Sequence, residues 1–570
     1  MTGLRVTYAG GGTLLAVADG PIGSDLVAAA RAVGGRRQGA SALVLPAANA
    51  ATALAGTASV WDPLALRAST NRQEIRRAAR GVLARAEELR TADLSEVRQA
   101  IAATTLEPRL DDHQALNVAL MTIPGGWGAC VFDEQGTGKT VSLIGAFDLL
   151  VERGDADRLF IVSPKSMVAE WGNEFPRFMG GAYGVAAVEG AAVRRRGVLE
   201  GRDDVVVLNY ESVAANLHAL VQAARRGRVV LAVDESYNVK NPDAGRSAAV
   251  AELREWCSHG FVLCGTPAPH SASDLVAQVA LVDLGYTFAT VRLPNDDPDL
   301  LREQVRTAVR RRTLHTRNLK AVVLPDLPAR RFTEVPVDLT PAQRRLYDDG
   351  ASALAHDLQG ASEERFERDR TAFVSRRANL LRTCSDPAGV QVGFASTPAK
   401  VLALDALLRD LVQERGEKVV LWSYYRNTLQ LLSDRYTPYG VARVDGSVTS
   451  NADRREAVRR FQEEPDTRLF VGNPAAAGAG LTLHAARYAV YESLGTQAAH
   501  HMQSLDRIHR RGQARDVEYV TLLARDTVEE PHYGRLLVKA RVQADLLGDP
   551  PQQHLTRQAM LAELLGQEGG

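Results

Sequence analysis

The sequence predicts an α/β protein with two parallel-sheet lobes, a helical insertion between them and a small N-terminal α/β unit. Three observations predict this. Two separate series of short, unbroken apolar runs alternate with helical segments, and runs of this kind are strands covered on both faces. The stretch between the two series is charged and mostly helical in its spacing. Residues 1–65 instead show short strands and a helix punctuated by glycines.

Leu4–Tyr8 and Thr13–Val17 are expected strands around the Gly10-Gly11-Gly12 turn. Ser24–Val33 is an expected helix, with Ser24 as its N-cap and Gly34-Gly35 as its stop. Ala42–Leu45 is a strand, followed by Pro46 and an alanine-rich helix. Residues 66–105 carry Arg, Glu and Ala at helical spacing and are expected to be linker helices. The first lobe is assigned to 106–286, with strands at Ala129–Phe132, Leu159–Val162, Val205–Leu208, Val229–Val233 and Phe261–Leu263. Residues 287–395 form the connecting region. The second lobe, 396–535, has strands at Val419–Leu421, Val441–Val444, Leu469–Val471, Ala489–Tyr491 and Val520–Leu523. Residues 536–570 are a helical tail. There is no internal repeat at a fixed period.

With 45% hydrophobic and 24% charged residues among 570, the composition is globular and excludes fibrous or largely disordered classes. Sixty-eight basic residues balance 68 acidic ones. A net charge of zero lowers the expectation of non-specific nucleic-acid binding and leaves local patches open. Arg194–Arg196, Arg225-Arg226 with Arg228, and Arg310–Arg312 are such clusters, and each also reads as a solvated surface turn. The four cysteines are scattered, without metal-ligand spacing, so reduced thiols are expected. No apolar run reaches the ~18 residues of a membrane span, and Met1–Arg5 opens no signal-peptide core. A soluble, cytoplasmic protein without a membrane partner is therefore expected. Lysine is rare, at Lys139, Lys165, Lys240, Lys320, Lys400, Lys418 and Lys539. Arginine and alanine dominate, as a GC-rich genome would produce, and a lysine kept against that drift hints at a need for a compact ammonium.

The clearest chemistry lies at Asp133-Glu134-Gln135-Gly136-Thr137-Gly138-Lys139-Thr140, between an expected strand and an expected helix. Glycines there let backbone N–H groups face phosphate, and the helix N-terminus adds positive potential. Lys139 would reach the β/γ oxygens of ATP and Thr140 would ligate Mg²⁺. The strict phosphate-loop pattern wants glycine where Asp133 stands. Downstream, Val229–Val233 runs into Asp234-Glu235. Asp234 would hold the magnesium through water, and Glu235 would orient or activate the attacking water. In Gln503–Gln513, Arg507 and Arg510 are three apart and would share a helix face, offering forked donors to a γ-phosphate. Each segment alone also has a plainer reading: a strand end capping a helix for Asp234-Glu235, a solvated basic helix for the arginines.

The order and wording of these segments resemble the Swi/Snf branch of helicase superfamily two. Asp133–Thr140 is similar to the family's DExGxGKT loop, which accounts for Asp133. Arg109–Gln114 resembles the adenine-side motif and implies Gln114 as a base reader. Ile161–Trp171, Leu208–Ser212, Asp234–Asn241, Leu263–Pro267, Asp274-Leu275 and Leu324–Pro328 follow the family in order. Lys418–Tyr425, Asp445–Ser447, Gly478–Leu483, the arginine segment and Thr527–Glu530 complete the second lobe. Departures are Tyr237 where histidine is usual, Asn473-Pro474 for Ser-Thr, and Ser493–Ala499 in place of a Trp-Asn-Pro stretch.

The resemblance implies two RecA-like lobes and a double-stranded DNA translocase driven by ATP and Mg²⁺. It implies nucleotide contacts from Asp133 to Thr140 and at Gly480. It implies DNA contacts at Ser163, Lys165, Asn209, Tyr210, Ser423 and Ser447, although Tyr210 and Trp171, aromatics beside strands, also read as packing. A compact bacterial or phage protein is expected, near the nucleoid and monomeric. Its N-terminal unit is similar to the HARP-like module of annealing helicases and is a candidate surface for a protein partner. A strand-separating or annealing helicase at forked DNA, an RNA-dependent ATPase and an ATP-gated scaffold stay open as rivals.

Overall fold

The Gly10-Gly11-Gly12 turn sets the N-terminal sheet. All three glycines have positive φ, at 87°, 55° and 74°, a backbone that L side chains resist. The turn reverses β1 (Leu4–Gly10) into antiparallel β2 (Thr13–Ala18), and β3 (Arg36–Gln38), β4 (Ala42–Pro46) and β5 (Ser59–Trp61) complete a five-stranded sheet in the order β3-β4-β2-β1-β5. The helix Ser24–Ala32 begins one residue off the expected register: Gly23 is the N-cap and Ser24 is already helical, without a capping side chain. The computed structural model describes residues 3–268, 272–294, 297–448, 450–477 and 481–544, so Gly480 and residues 545–570 of the expected 536–570 tail lie outside the described residues.

Residues 66–105 are not a free linker. Asp62 caps the helix Pro63–Thr91 by accepting a bond from the Ala65 N–H at 2.8 Å, and Pro63 supplies the preset first turn. Ala65 and Ala68 pack into the N-terminal core, while Ile75, Ala79, Val82, Ala86 and Leu89 are buried in the core of the first lobe. One 29-residue helix is thus shared by two cores. A buried ion pair fastens the joint: Arg72 meets Glu255 at 2.7 Å, and Tyr8 Oη donates to the same carboxylate at 3.3 Å.

The first lobe has β6 (Cys130–Val131), β7 (Arg158–Ser163), β8 (Val185–Ala187), β9 (Val205–Asn209), β10 (Val229–Asp234), β11 (His259–Leu263) and β12 (His315–Thr316). All neighbours are parallel, in the order β12-β6-β11-β10-β7-β9-β8. Strand β10 is buried along its whole length, which is why it reads as an unbroken apolar run. Because the strands are parallel, their carboxyl ends share one edge, where ligands of such sheets are bound. Register puts Val131, Leu263 and Asp234 side by side there, with Ser163 beside Asn209.

The boundary between the two units of the chain falls between Val323 and Leu324. The second unit has β13 (Arg330–Val337), β14 (Val419–Trp422), β15 (Val441–Val444), β16 (Leu469–Gly472), β17 (Tyr488–Tyr491) and β18 (Val517–Ala524), all parallel, in the order β13-β18-β17-β14-β16-β15. The connecting region expected at 287–395 is therefore divided, giving β12 to one sheet and β13 to the other. Strand β13 is an edge strand with Arg330, Arg331 and Glu334 on it, and charge on an edge discourages further pairing. That charge also hid it among helical sequence. No described helix is long and apolar enough to cross a membrane.

Removing Arg72 would leave the Glu255 carboxylate, 1% exposed, without its cation. Arg72→Ala is expected to cost about 3 kcal/mol of stability. Denaturant unfolding of the purified protein measures it; a loss below about 1 kcal/mol would mean the joint is no stronger than a surface pair.

Candidate nucleotide site

The phosphate loop leaves β6 and enters the helix Lys139–Glu152 through Gly136 and Gly138, whose φ angles are +83° and +95°. Side chains are excluded at Gly138 on a second ground: a Cβ there would lie 2.3 Å from Gln114 Nε2. Thr140 stands in the first turn of the helix, half-buried. The Lys139 ammonium donates to the Asp133 and Glu134 carbonyls at 2.9 and 3.0 Å, and Thr137 Oγ1 donates to the Glu134 carbonyl at 2.9 Å. The loop is thus closed on itself through the cation it would turn toward phosphate.

Asp133 is fully buried and acts as an anchor. Its carboxylate accepts from Asn117 Nδ2 (2.7 Å), Thr316 Oγ1 (2.8 Å), the Asn318 backbone N–H (2.9 Å) and Asn318 Nδ2 (2.9 Å). These four donors satisfy both oxygens of the buried carboxylate. It ties β12 to the loop, and the Glu134 carboxylate continues the tie by accepting from the Lys320 backbone N–H. Gln114 is committed locally: its Oε1 accepts from Asp111 N–H at 3.0 Å in a capping box, and its Nε2 donates to the Thr137 carbonyl at 3.0 Å. His113 Nε2 meets the same carbonyl at 2.8 Å.

Asp234 and Glu235 end β10 on the same edge. Burial, and then the charge of Glu235, push the Asp234 carboxyl up to about 7. Trp171 Nε1 donates to Asp234 Oδ2 at 3.0 Å, and the Glu235 N–H to Asp234 Oδ1 at 2.9 Å. Glu235 has φ +51°, a left-handed backbone rare outside glycine and costly by ~1–3 kcal/mol. Tyr210 Oη holds that peptide in place by donating to the Asp234 and Glu235 carbonyls, and Asn238 Nδ2 donates to the latter at 2.8 Å. Gln135 Nε2 donates to Glu235 Oε1 at 2.8 Å, while Oε2 is buried with no hydrogen-bond partner.

In the second unit, Arg507 and Arg510 are brought together, though not by a helix. The helix Ala498–Leu505 ends before them, and both lie in the turn that follows. Arg507 Nη1 and Arg510 Nη1 donate to the same carbonyl, of Leu481, at 3.1 and 3.3 Å, and Arg510 also reaches Thr482 Oγ1 at 2.6 Å. The helix face that Arg507 and Arg510 were expected to share is therefore absent. Gln513 pins the turn by donating to the carbonyls of His484, Ala486 and Ile508.

An SNF2-related domain matches residues 112–388, and a helicase conserved C-terminal domain matches 399–512. The chain belongs to the Swi/Snf family. It is 26% identical over 487 residues to the human SWI/SNF-related matrix-associated actin-dependent regulator of chromatin subfamily A member 1, covering 79% of this chain and 45% of that protein. It is 28% identical over 452 residues to the human DNA annealing helicase and endonuclease ZRANB3, covering 74% of this chain and 39% of that one. The chain thus spans less than half the length of these curated relatives. A solved Sulfolobus solfataricus SWI2/SNF2 ATPase core in complex with dsDNA aligns at 20% identity over 80% of this chain and 96% of that one, with a TM-score of 0.35.

Among the residues implied by the Swi/Snf resemblance as DNA contacts, three are turned inward. Ser163 is fully buried, and its hydroxyl donates to the neighbouring Pro164 carbonyl at 3.4 Å. Ser423 is fully buried, and its hydroxyl donates to Glu492 Oε2 at 2.8 Å. Tyr210 is spent on the acid pair. Asn209 is half-buried and caps the helix Tyr210–Ala224 through its Oδ1, 2.8 Å from the Ser212 N–H. Lys165 and Ser447 are exposed, Ser447 donating to Asp445.

Sequence reasoning missed the supporting residues Asn117, Gln135 as a partner of Glu235, Thr316, Asn318 and Trp171 as a donor. The one signal for Trp171 was its place in the family motif; the asparagines carry none. Asp133→Ala would leave the Asn117, Thr316 and Asn318 donors without their acceptor and is expected to cost about 3 kcal/mol. Thermal unfolding should show a clear fall in Tm; an unchanged Tm would mean water replaces the carboxylate.

Proposed function

We propose that this chain hydrolyses ATP and uses the energy to move along double-stranded DNA. The observation that carries the reading is the placement of the phosphate loop and the Asp234-Glu235 pair on one sheet edge, in a chain matched by both family domains. In the proposal Lys139 exchanges its loop carbonyls for phosphate oxygens. Glu235 orients the attacking water, and the forked donors of Arg507 and Arg510 stabilise charge on the γ-phosphoryl oxygens.

The residues present fit magnesium. Asp234 is pushed up to about 7 by burial and by Glu235, and a Glu235 oxygen is buried without a partner, so the acid pair lacks positive charge. Thr140 and Asp234 would hold the ion, which when bound neutralises phosphate charge. Lys165 and Ser447, the exposed candidates, would meet the phosphate backbone, where contacts carry no sequence information. Annealing at forked DNA is a second reading, favoured by the similarity to ZRANB3 and by the N-terminal sheet packed on the first lobe.

Turnover is expected to rise at least several-fold with duplex DNA, and less with single strands or RNA. Equal rates with every nucleic acid and with none would sink the proposal; a forked substrate surpassing plain duplex would favour the second reading.

Glu235→Gln should keep ATP binding and stop hydrolysis, whereas Lys139→Ala should weaken binding as well. Arg510→Ala should lower turnover by roughly 100-fold or more with a much smaller change in ATP affinity, and Arg510→Lys should restore little, since an ammonium lacks the fork. Turnover and nucleotide-binding titrations check these together; near-normal hydrolysis by Glu235→Gln would show that another group activates the water.

A further inference from the structure

Gln135 occupies the third position of the phosphate loop, which the family pattern DExGxGKT leaves open. Its side chain is placed by two contacts outside the loop. It lies over Gly265, just beyond β11, so closely that a Cβ on Gly265 would sit 2.8 Å from Gln135 Cγ and 3.3 Å from its Nε2. From there its amide donates to Glu235 Oε1 at 2.8 Å. The same two segments are joined a second time, through the buried Gln278. Ser236 Oγ donates to Gln278 Oε1 at 2.6 Å, and Gln278 Nε2 donates to the Pro267 carbonyl at 2.5 Å. The residue after Glu235 and the loop after Gly265 therefore share a buried hydrogen-bond path.

This arrangement is idle for the chemistry assigned to Glu235. A carboxylate that activates water must present a free lone pair to it. Here Oε1 accepts from the Gln135 amide, and Oε2, whose lone pairs are free, is buried out of reach of bulk water. The loop around it is closed as well, with Lys139 bound to the loop's own carbonyls.

We propose that Gln135 is a positioning residue that holds Glu235 in this idle state, so that movement of the Gly265 segment sets when the carboxylate is released. The proposal rests on the ATPase reading given above and adds a restraint on turnover in the absence of DNA. A hydrogen bond to a charged group that must break before turnover holds the resting rate down by roughly three- to ten-fold.

The test is Gln135→Met, which keeps length and packing and removes the donor. DNA-free turnover should rise by roughly three- to ten-fold, and the ratio of DNA-saturated to DNA-free turnover should fall by a similar factor. Gly265→Ala provides a second route from outside the loop, because its methyl group would lie 2.8 Å from Gln135 Cγ, with the Gln135 backbone N at 3.2 Å. It should also lower the ratio, and the double variant should do no more than either single one, as expected for residues acting through one contact. An unchanged ratio, or DNA-free turnover that falls in Gln135→Met, overturns the latch: Gln135 would then be a packing residue or would orient Glu235 productively. Absence of turnover in the unaltered protein under all conditions overturns the ATPase reading and the latch with it, so the two failures are told apart.

Discussion

Two carboxylates at the end of one buried strand are the constraint around which the first unit is built. Strand β10 is apolar over its length and delivers Asp234 and Glu235 to an edge where little water reaches them. Such a pair is costly to keep unless donors fix most of its oxygens and the backbone beneath it. Trp171, Tyr210, Asn238 and Gln135 supply those donors, from four different segments. Two of them are aromatics that otherwise resemble ordinary core residues. Their hydrophobic bodies fill the space behind the strand, and their polar tips hold the acids and the left-handed peptide of Glu235 in place.

The loop facing the acids is organised by a charge of its own. Asp133 stands where a generic phosphate loop has glycine, and its buried carboxylate binds β12 and the residues after it to the loop base. A sequence segment almost two hundred residues downstream in the chain is thereby part of the nucleotide site (|i−j| of 185 for Asn318 to Asp133). The scarce lysines follow a related logic. Lys139 and Lys418 each donate to two backbone carbonyls, and Lys400, fully buried, meets Glu529 at 2.6 Å and the Glu492 carbonyl at 2.8 Å. In these tight oxygen cradles a compact ammonium fits better than a planar fork.

The legible parts of the sequence were those where one physical demand dominates. Strands buried on both faces must be apolar, so ten of the thirteen described strands of the two parallel sheets were found, most within a residue or two, while β8, β12 and β13 were not. The phosphate loop needs glycines at fixed steps, so Gly136 and Gly138 marked it. What stayed hidden answers to several demands at once. Strand β13 carries edge charges and looked helical. The helix Pro63–Thr91 has a mixed composition because it serves two cores, and so looked like a linker. Arg507 and Arg510 are three residues apart, which suggests a helix face; a shared carbonyl in a turn brings them together instead. Ser163, Ser423 and Tyr210 matched motif positions, but motif wording does not say which way a side chain points.

The central claim is that ATP turnover at this acid pair drives movement along intact duplex DNA. Displacement of a third strand from a short triplex, placed at the end of an otherwise plain duplex, measures that movement without requiring strand separation. The account predicts displacement that depends on ATP and on the length of duplex available for loading, and that is absent in Glu235→Gln. Robust ATP hydrolysis on the same duplex with the third strand left in place would contradict it.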